Sequence, residues 1–533
     1  MKWGKSKTTA TILAAAVFLS VTGGFGSYAA ERPAYLKSAT YYSDDWVVNF
    51  WNSESIHMDE ELAQIAADGF NSIILVIPWQ EFQPQMAPAR YEEYALQKLD
   101  RVMEAAERHG LWVSFRVGYT WDYSGGNTLV RYEQLLHDET VRAAWLDYVK
   151  KIYEAGSAHS NFYGGFLTWE DFWNYVETAK RGRKGRSSVN KAEMIGYQDY
   201  VQTHYTLEEL RDNFGVDVDN YGEIWVPSIT EPAFRIFYEY YDDFLNRLLA
   251  ESQTVFPDLS MEVRLDVDPV PGIDGDSVGA AHVSTFSAQG ASYTSAMYSV
   301  SMAQEPYTRI TAAEANRAME HILSDLNTHS GGKRIYIDQL LYTDNTPGFE
   351  HNAQLKQEEK AVFVEGMAPV LHAYTMGYGV WTYRNYGNNA LYNAQFGLGT
   401  SGWSFEKGCE VTEINGTNMA KLSPKSSIRQ DLGNRLGEGE TVKVRFKAKT
   451  DGSRQIWVTL GQETKYVTVS GEKDVYLEYL TRGESISFAA DGEAFIDDVK
   501  VYGFETDGEL YSITGDEMSL TGAVRKLNHT LGK

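Results

Sequence analysis

The segment Gly165-Phe166-Leu167-Thr168-Trp169-Glu170-Asp171-Phe172-Trp173 is an apolar run that ends in two adjacent carboxylates flanked by aromatic rings. A strand delivering Glu170 into a cleft walled by Trp169, Phe172 and Trp173 would set a proton donor beside flat apolar faces, which is what cleaving a bond between sugar rings requires. A buried strand end with a capping Glu is the plain structural alternative. A second candidate carboxylate lies in Ile335-Tyr336-Ile337-Asp338, where alternation puts Ile335 and Ile337 on one face and Tyr336 and Asp338 on the other.

The elements that would position these groups alternate from about residue 45 to 386. Short apolar runs are predicted as strands at Trp46–Trp51, Ser72–Trp79, Trp112–Tyr119, Tyr163–Glu170, Met261–Asp268, Tyr293–Met302, Arg334–Leu341 and Gly379–Tyr383. Helical patterns fall between them at Asp59–Asp68, Glu92–Arg108, Glu139–Ala155, Pro232–Phe256, Ala312–Asn327 and Gln357–Met376. Eight βα repeats predict a closed (β/α)8 barrel of the TIM type, with its site on the loops after the strands. In Met261–Asp268, alternation sends Met261, Val263, Leu265 and Val267 to the helices and turns Glu262, Arg264, Asp266 and Asp268 inward. At or just past strand ends, Arg116, Asp266, Asp268, His282, Tyr298, Tyr342 and Asn345 could bind sugar hydroxyls or make rim hydrogen bonds. Trp51, Trp79, Trp121 and Trp381 are the stacking candidates.

The texture divides the chain into residues 31–388 for the barrel, 389–505 for an all-β, jelly-roll-like sandwich of short alternating runs, and a polar tail at 506–533. An insertion at about 174–228 is expected as a loop or subdomain over the cleft, and it opens on the basic run Lys180-Arg181-Gly182-Arg183-Lys184-Gly185-Arg186. That run could recognise an anionic group or simply be solvated.

Residues 1–30 are basic, then apolar, then small at Ser27-Tyr28-Ala29, the pattern of an export signal that is either cleaved or kept as an N-terminal anchor. A secreted or cell-surface location follows. With Cys409 the single cysteine, no internal disulfide or cysteine metal site can form, so cores must hold the fold. The formal net charge of −25 argues against nucleic acid and anionic surfaces as partners, and any membrane contact would run through the N-terminal segment.

Taken together, the residues resemble the retaining glycoside hydrolases of clan A, which include the family 5 cellulases and mannanases and the family 42 β-galactosidases. The resemblance is carried by Ile77-Pro78-Trp79-Gln80-Glu81-Phe82-Gln83-Pro84, by Leu99-Asp100 followed by His109-Gly110-Leu111-Trp112-Val113, by Thr206-Leu207-Glu208-Glu209-Leu210, and by Gly379-Val380-Trp381-Thr382-Tyr383. It covers roughly residues 45 to 386, and the C-terminal part looks like a sugar-binding β-sandwich module. By this likeness Glu170 is the acid/base and Trp381 floors the subsite of the cleaved sugar. Two positions depart from the family pattern. Trp169 replaces an Asn before the acid/base, and Asp338-Gln339 stands where a nucleophilic Glu is expected.

The expected activity is hydrolysis of β-glycosidic bonds in a polysaccharide or oligosaccharide by paired carboxylates, with retention if Asp338 attacks and inversion if it activates water. The alternatives are a non-catalytic glycan-binding protein on a decayed barrel, and a cell-surface enzyme trimming the cell's own polysaccharide. Trp403, Trp457 or Tyr466 could bind glycan on the sandwich, and Asp497-Asp498 could ligate a structural Ca²⁺ or form an ordinary turn. No zinc spacing, phosphate-cradling glycine loop or Ser-His-Asp elbow is present, so no catalytic cofactor is expected.

Overall fold

All seven residues of the strand Ser-Ile-Ile-Leu-Val-Ile-Pro at 72–78 are buried. A run with no polar face persists only where both faces are covered, as in a parallel sheet wrapped by helices. The computed structural model describes residues 32–119, 127–172, 184–263, 265–271, 277–281, 290–302, 304–343, 350–433, 435–436, 441–480, 483–503, 505–506 and 508–532. In it, eight parallel strands close into a barrel in chain order. They are β1 (Leu36–Thr40), β2 (Ser72–Pro78), β3 (Trp112–Tyr119), β4 (Phe162–Leu167), β5 (Ser260–Val263), β6 (Tyr293–Ser299), β7 (Arg334–Leu341) and β8 (Thr375–Val380). The larger helices around them are α1 (Met58–Ala67), α2 (Glu93–Arg108), α3 (Glu139–Ser157), α4 (Phe234–Gln253), α5 (Ala312–His329), α6 (Lys360–Gly366), α7 (Ala368–Tyr374) and α8 (Thr521–Leu531). Local chemistry sets several starts: Asp138 accepts from the Thr140 amide at 2.8 Å to cap α3, and Thr311 with Glu314 forms a capping box at α5.

The lower barrel interior is filled by Leu36, Ile74, Trp112, Tyr163, Phe166, Tyr293, Tyr336 and Met376. Beside this layer, Ser38 and Ser72 share a hydrogen bond of 2.5 Å, and Tyr336 donates to Ser38 at 2.8 Å across the barrel. These bonds explain a strand that sequence reading missed. β1 carries Lys, Ser and Thr, and so lacks an apolar signature. The apolar run expected as the first strand, Trp46–Trp51, is instead a one-turn helix at Val47–Phe50. Two further strands stop early. The fourth ends at Leu167, and Trp169–Phe172 turns into a short helix. The fifth ends at Val263, and Leu265–Pro271 pairs antiparallel with Ser277–Ala281 in a separate hairpin. The eighth strand begins four residues sooner than expected.

The insertion contains the helices Arg186–Met194, Tyr197–His204 and Leu207–Phe214 rather than an open loop. Tyr197 seats it on α4, with ring centroids 5.3 Å from Phe237 and 5.4 Å from Tyr240. Of its basic run, 180–183 lie outside the described residues, and Lys184 sits 4.8 Å above the Trp225 ring.

The C-terminal β-domain is antiparallel: β9 (Ser404–Phe405), β10 (Glu410–Ile414), β11 (Thr417–Leu422), β12 (Ser427–Asp431), β13 (Val442–Leu460), β14 (Glu463–Tyr479), β15 (Ser485–Ala490) and β16 (Ala494–Tyr502). The strand order is β9-β12-β15-β13-β16-β11-β10, with β14 along β13. Residues 443–450 of β13 pair with β16, and 456–460 pair with β15. One long strand therefore belongs to both leaves, which enclose a core including Phe396, Trp403, Phe446 and Phe488.

This domain is not simply appended. The polar tail at 506–533 returns to the barrel and supplies α8, which packs on α6 and α7 and buries Val524 and Leu527 in the barrel core. The β-domain is thus inserted between the eighth strand and the last helix. At its neck, Tyr386–Gly387 pairs antiparallel with Glu505–Thr506. A side chain at 387 would collide with the Tyr502 ring, its Cβ falling 2.7 Å from the nearest ring carbon, so glycine is required there.

Candidate active site

Three strand ends bring ionic and amide groups into the barrel mouth. Arg116, near the end of β3, is 4% exposed and grips the fully buried Asp171 with two bonds, Nε to Oδ2 at 3.0 Å and a terminal nitrogen to Oδ1 at 2.9 Å. Thr168 donates to Asp171 Oδ2 at 2.5 Å, and its own oxygen accepts from the Asp171 amide at 3.2 Å, so Thr168 both ends β4 and caps the short helix that follows. The remaining Arg116 nitrogen donates to Gln339 Oε1 at 2.9 Å.

Gln339 reaches that position because β7 is bulged. Ile337 pairs with Ala296 and Gln339 with Met297, so the ladder skips Asp338. An extra residue re-aims the side chains around it. Strict alternation would turn Gln339 out once Asp338 points in, yet Gln339 bonds Arg116 inside the barrel. Asp338 is 4% exposed. Burial first, with Asp338 among the smaller causes, holds the interior Tyr293 and Tyr336 hydroxyls well above the usual tyrosine range. Ile335 and Ile337 join the helix-side core, as alternation predicts. On β5 the same holds: Met261 packs toward the helices, and Glu262 is buried on the opposite face.

Beside this polar half stands an aromatic half. Trp46, after β1, and Trp381, after β8, are half-buried and nearly perpendicular, with centroids 6.3 Å apart. Tyr386 lies 5.0 Å from Trp46, Tyr42 lies 5.7 Å from Trp381, and Tyr119, at the end of β3, lies 6.1 Å from Trp46. Arg116 sits 5.0 Å over the Tyr119 ring, which joins the two halves. Two partly open indoles beside buried carboxyls form a surface suited to the apolar face of a sugar ring.

Several expected residues lie elsewhere. Trp51 and Trp79 are fully buried: Trp51 donates to the Val76 carbonyl at 2.8 Å and packs on Phe82, while Trp79 donates to Gln83 at 2.7 Å and packs on Trp145. Neither can stack on a ligand. Tyr298 faces the helices and donates to the Ala315 carbonyl at 3.3 Å, and Tyr342 is buried in the same core. Both apolar cores took rings that looked like binding platforms. Trp403 is likewise in the β-domain core, bonded to the Asn393 carbonyl at 3.1 Å, whereas Trp457 is half-buried beside the exposed Tyr466 across β13 and β14. Trp121, Trp173, His282 and Asn345 fall outside the described residues, as do the side chains of Trp169, Glu170, Asp266 and Asp268. The backbone places Glu170 in the helix Trp169–Phe172 rather than at the strand's last position. Sequence reading missed Tyr42, Trp46, Tyr119, Tyr386 and the role of Asp171. Only Asp171 had a signal, as the second acid three residues after Thr168.

The adjacent carboxyls Asp497 and Asp498 of the β-domain differ in their surroundings. Asp498 accepts from Gln395 at 3.0 Å and lies 3.9 Å from both Lys500 and Arg445. Burial pushes the Asp497 carboxyl up to about 8, aided by Asp498 and Glu54 and opposed by the Asp498 amide. No cluster of three or more metal-ligating side chains occurs among the described residues. A carboxyl that binds its proton more tightly when folded stabilises the fold at low pH, and that contribution is lost as pH rises toward about 8. Asp497→Asn is therefore expected to remove a fall in stability approaching roughly 1 kcal/mol per pH unit across this window, read from urea denaturation at pH 5 and pH 8.

The fold and site define a (β/α)8 barrel with buried carboxyls and an aromatic rim at the C-terminal ends of its strands, followed by an inserted β-domain. No protein-family model matches the sequence, and no curated protein matches it. Among solved structures, the chain is similar to an exo-β-1,4-mannosidase from Opitutaceae bacterium strain TAV5, at 12% identity over 66% of this chain and 52% of that one, with a TM-score of 0.41. It is also similar to a GH5_18 protein from Streptomyces cattleya in complex with GlcNAc, at 15% identity over 66% and 72% with a TM-score of 0.41. A β-galactosidase from the psychrophilic Marinomonas ef1 aligns at 12% identity over 66% and 54%, with a TM-score of 0.46. The chain spans about half the length of the mannosidase.

Proposed function

We propose that the chain is an exported glycoside hydrolase that cleaves β-glycosidic bonds of a polysaccharide or oligosaccharide. The observation that carries this reading is the buried Asp338 at the bulged end of β7, in a barrel mouth rimmed by the half-open rings of Trp46 and Trp381. Glu170, on the helix after β4, is assigned as proton donor to the leaving oxygen, and Asp338 as the carboxylate that meets the oxocarbenium-like carbon. Arg116 holds Asp171 and Gln339, so it fixes the segments that carry both groups. Attack by Asp338 gives retention and requires carboxyls about 5–5.5 Å apart; a separation of about 6.5–9.5 Å leaves room for water and inverts the product.

The test is reducing-end release from β-glucans, mannans, galactans, xylans and glucosamine polymers, with Glu170→Gln and Asp338→Asn in parallel. Turnover by the parent chain and a loss of about 10²–10⁴-fold in each variant is expected, and the anomer first released assigns retention or inversion. One observation favours a second reading, a glycan-binding protein without turnover: the neighbour of Asp338 is an amide already held by Arg116. Binding to one polymer with no release from any of them would establish it. Cell fractionation separates a secreted from a surface-held form. Among the described residues no helix is long and apolar enough to cross a membrane, and residues 1–30 lie outside them.

A further inference from the structure

The loop after β1, residues 41–57, carries Tyr42 and Trp46 of the aromatic rim, yet many of its polar partners belong to the β-domain. Asp44 is ion-paired with Arg445 and lies 2.5 Å from Lys500 Nζ. Lys500 also lies 3.1 Å from Asp45, and it is 1% exposed. Three bonds extend the seam along the loop: Asn49 donates to the Leu391 carbonyl at 2.8 Å, the Asn393 amide to Asn52 at 3.0 Å, and the Glu54 amide to Gln395 at 2.7 Å. Trp46 follows directly on this acidic pair.

We infer that Lys500 is a positioning residue for the binding cleft: from the β-domain it neutralises Asp44 and Asp45 and so holds the loop that presents Trp46 and Tyr42. Two buried carboxylates on adjacent residues repel each other at short range in a poorly solvated setting, and a shared ammonium between them removes the repulsion. Arg445 is ion-paired with Asp44 and not with Asp45, so without Lys500 the second acid keeps only the Ser53 hydroxyl, at 2.8 Å, and the more distant charge of the buried Lys98. Burial works against the charge on Asp44, but Lys500, Arg445 and Arg384 together hold its carboxyl well below the usual range, in keeping with a loop tied down by charge. The β-domain thereby supports, from behind, the loop that walls one side of the cleft.

This inference rests on reading the barrel mouth as a glycan cleft, so the experiment has one arm that needs turnover and one that does not. In the full chain, Lys500→Met is expected to raise KM at least tenfold with kcat within about threefold, and to speed hydrogen exchange at the amides of Phe50, Asn52 and Ser53. Lys500→Arg is expected to recover both. If Lys500→Met does not fold, the double variant Asp45→Asn with Lys500→Met relieves the repulsion and removes only the Asp44–Lys500 tie, and loss of that tie is expected to give faster loop exchange than in Asp45→Asn alone. Unchanged exchange and KM in a folded variant overturn the inference, as does an equal fall in kcat and rise in KM that Lys500→Arg does not recover. Faster loop exchange in a chain whose parent form hydrolyses nothing supports the positioning and overturns the hydrolase reading alone.

Discussion

A chain ending at residue 505 is expected not to fold its barrel, although every strand is still present. The missing residues 506–533 contain α8, whose Val524, Leu527 and Leu531, with Leu520 just before it, are buried against the barrel core. Four such aliphatic side chains at roughly 1.5–3 kcal/mol each amount to most of the stability a typical domain has. Polar partners go with them. The Asp68 carboxylate accepts from Tyr383 at 2.7 Å, Tyr511 at 2.8 Å and Arg525 at 2.7 Å, and two of these three donors leave with the tail. Asn528 also accepts from Tyr378 at 2.5 Å and donates to the Asp68 carbonyl at 3.0 Å. Thermal melts followed by near-ultraviolet circular dichroism decide the matter: a cooperative transition of the truncated chain near the full chain's midpoint would refute this account of α8.

Arg116→Met carries the next largest effect. It removes both guanidinium bonds from the fully buried Asp171, and breaking a buried pair from one side costs about 3–5 kcal/mol because the carboxylate loses its counter-charge while staying buried. Gln339 loses its anchor in the same change. The double variant Arg116→Met with Asp171→Leu removes both charges and should regain most of the lost stability, since an apolar replacement of the whole pair is close to neutral. Activity should not return with stability, because the bulged end of β7 stays untethered. Urea denaturation of the parent, single and double variants separates these outcomes; a single variant within about 1 kcal/mol of the parent would show that the pair contributes little.

What could be read in the residues follows from how each element is buried. β2 is covered on both faces and appears in the sequence as an almost continuous apolar run, β3 and β7 show apolar residues such as Val113, Phe115, Ile335 and Ile337 at alternate positions facing the helices, and the bounds of all three fall within a residue of expectation. β1 escapes because Lys37, Ser38 and Thr40 interrupt its apolar residues, and Ser38 is bonded to Ser72 and Tyr336 inside the barrel. The run Trp46–Trp51 is apolar for the opposite reason: its residues fill the space between the barrel mouth and the β-domain, a setting no local pattern announces. Alternation within β5 and β7 was legible, and it placed Glu262 and Asp338 inward. The bulge that adds Gln339 was not, because a bulge is set by the neighbouring strands. Aromatic residues were the least informative. Trp51 and Trp79 belong to the core while Trp46 and Trp381 edge the mouth, and residue type alone does not distinguish these environments. The tail looked featureless because α8 exposes a polar face over a single apolar stripe.

The neck at Tyr386–Gly387 and Glu505–Thr506 has a practical consequence for anyone wishing to simplify this molecule. Since the two crossing points are already hydrogen-bonded neighbours, the intervening hundred or so residues can in principle be exchanged for a tight turn, converting the neck into an ordinary hairpin. Closing so short a loop carries little entropic penalty. Such an excision would keep α8 in place, which cutting at a single boundary cannot do. It would need Asp44 and Asp45 replaced by neutral residues, because their counter-ions depart with the excised piece. Exchange of this region between proteins is therefore a graft with two seams, not the swap of a terminal cassette.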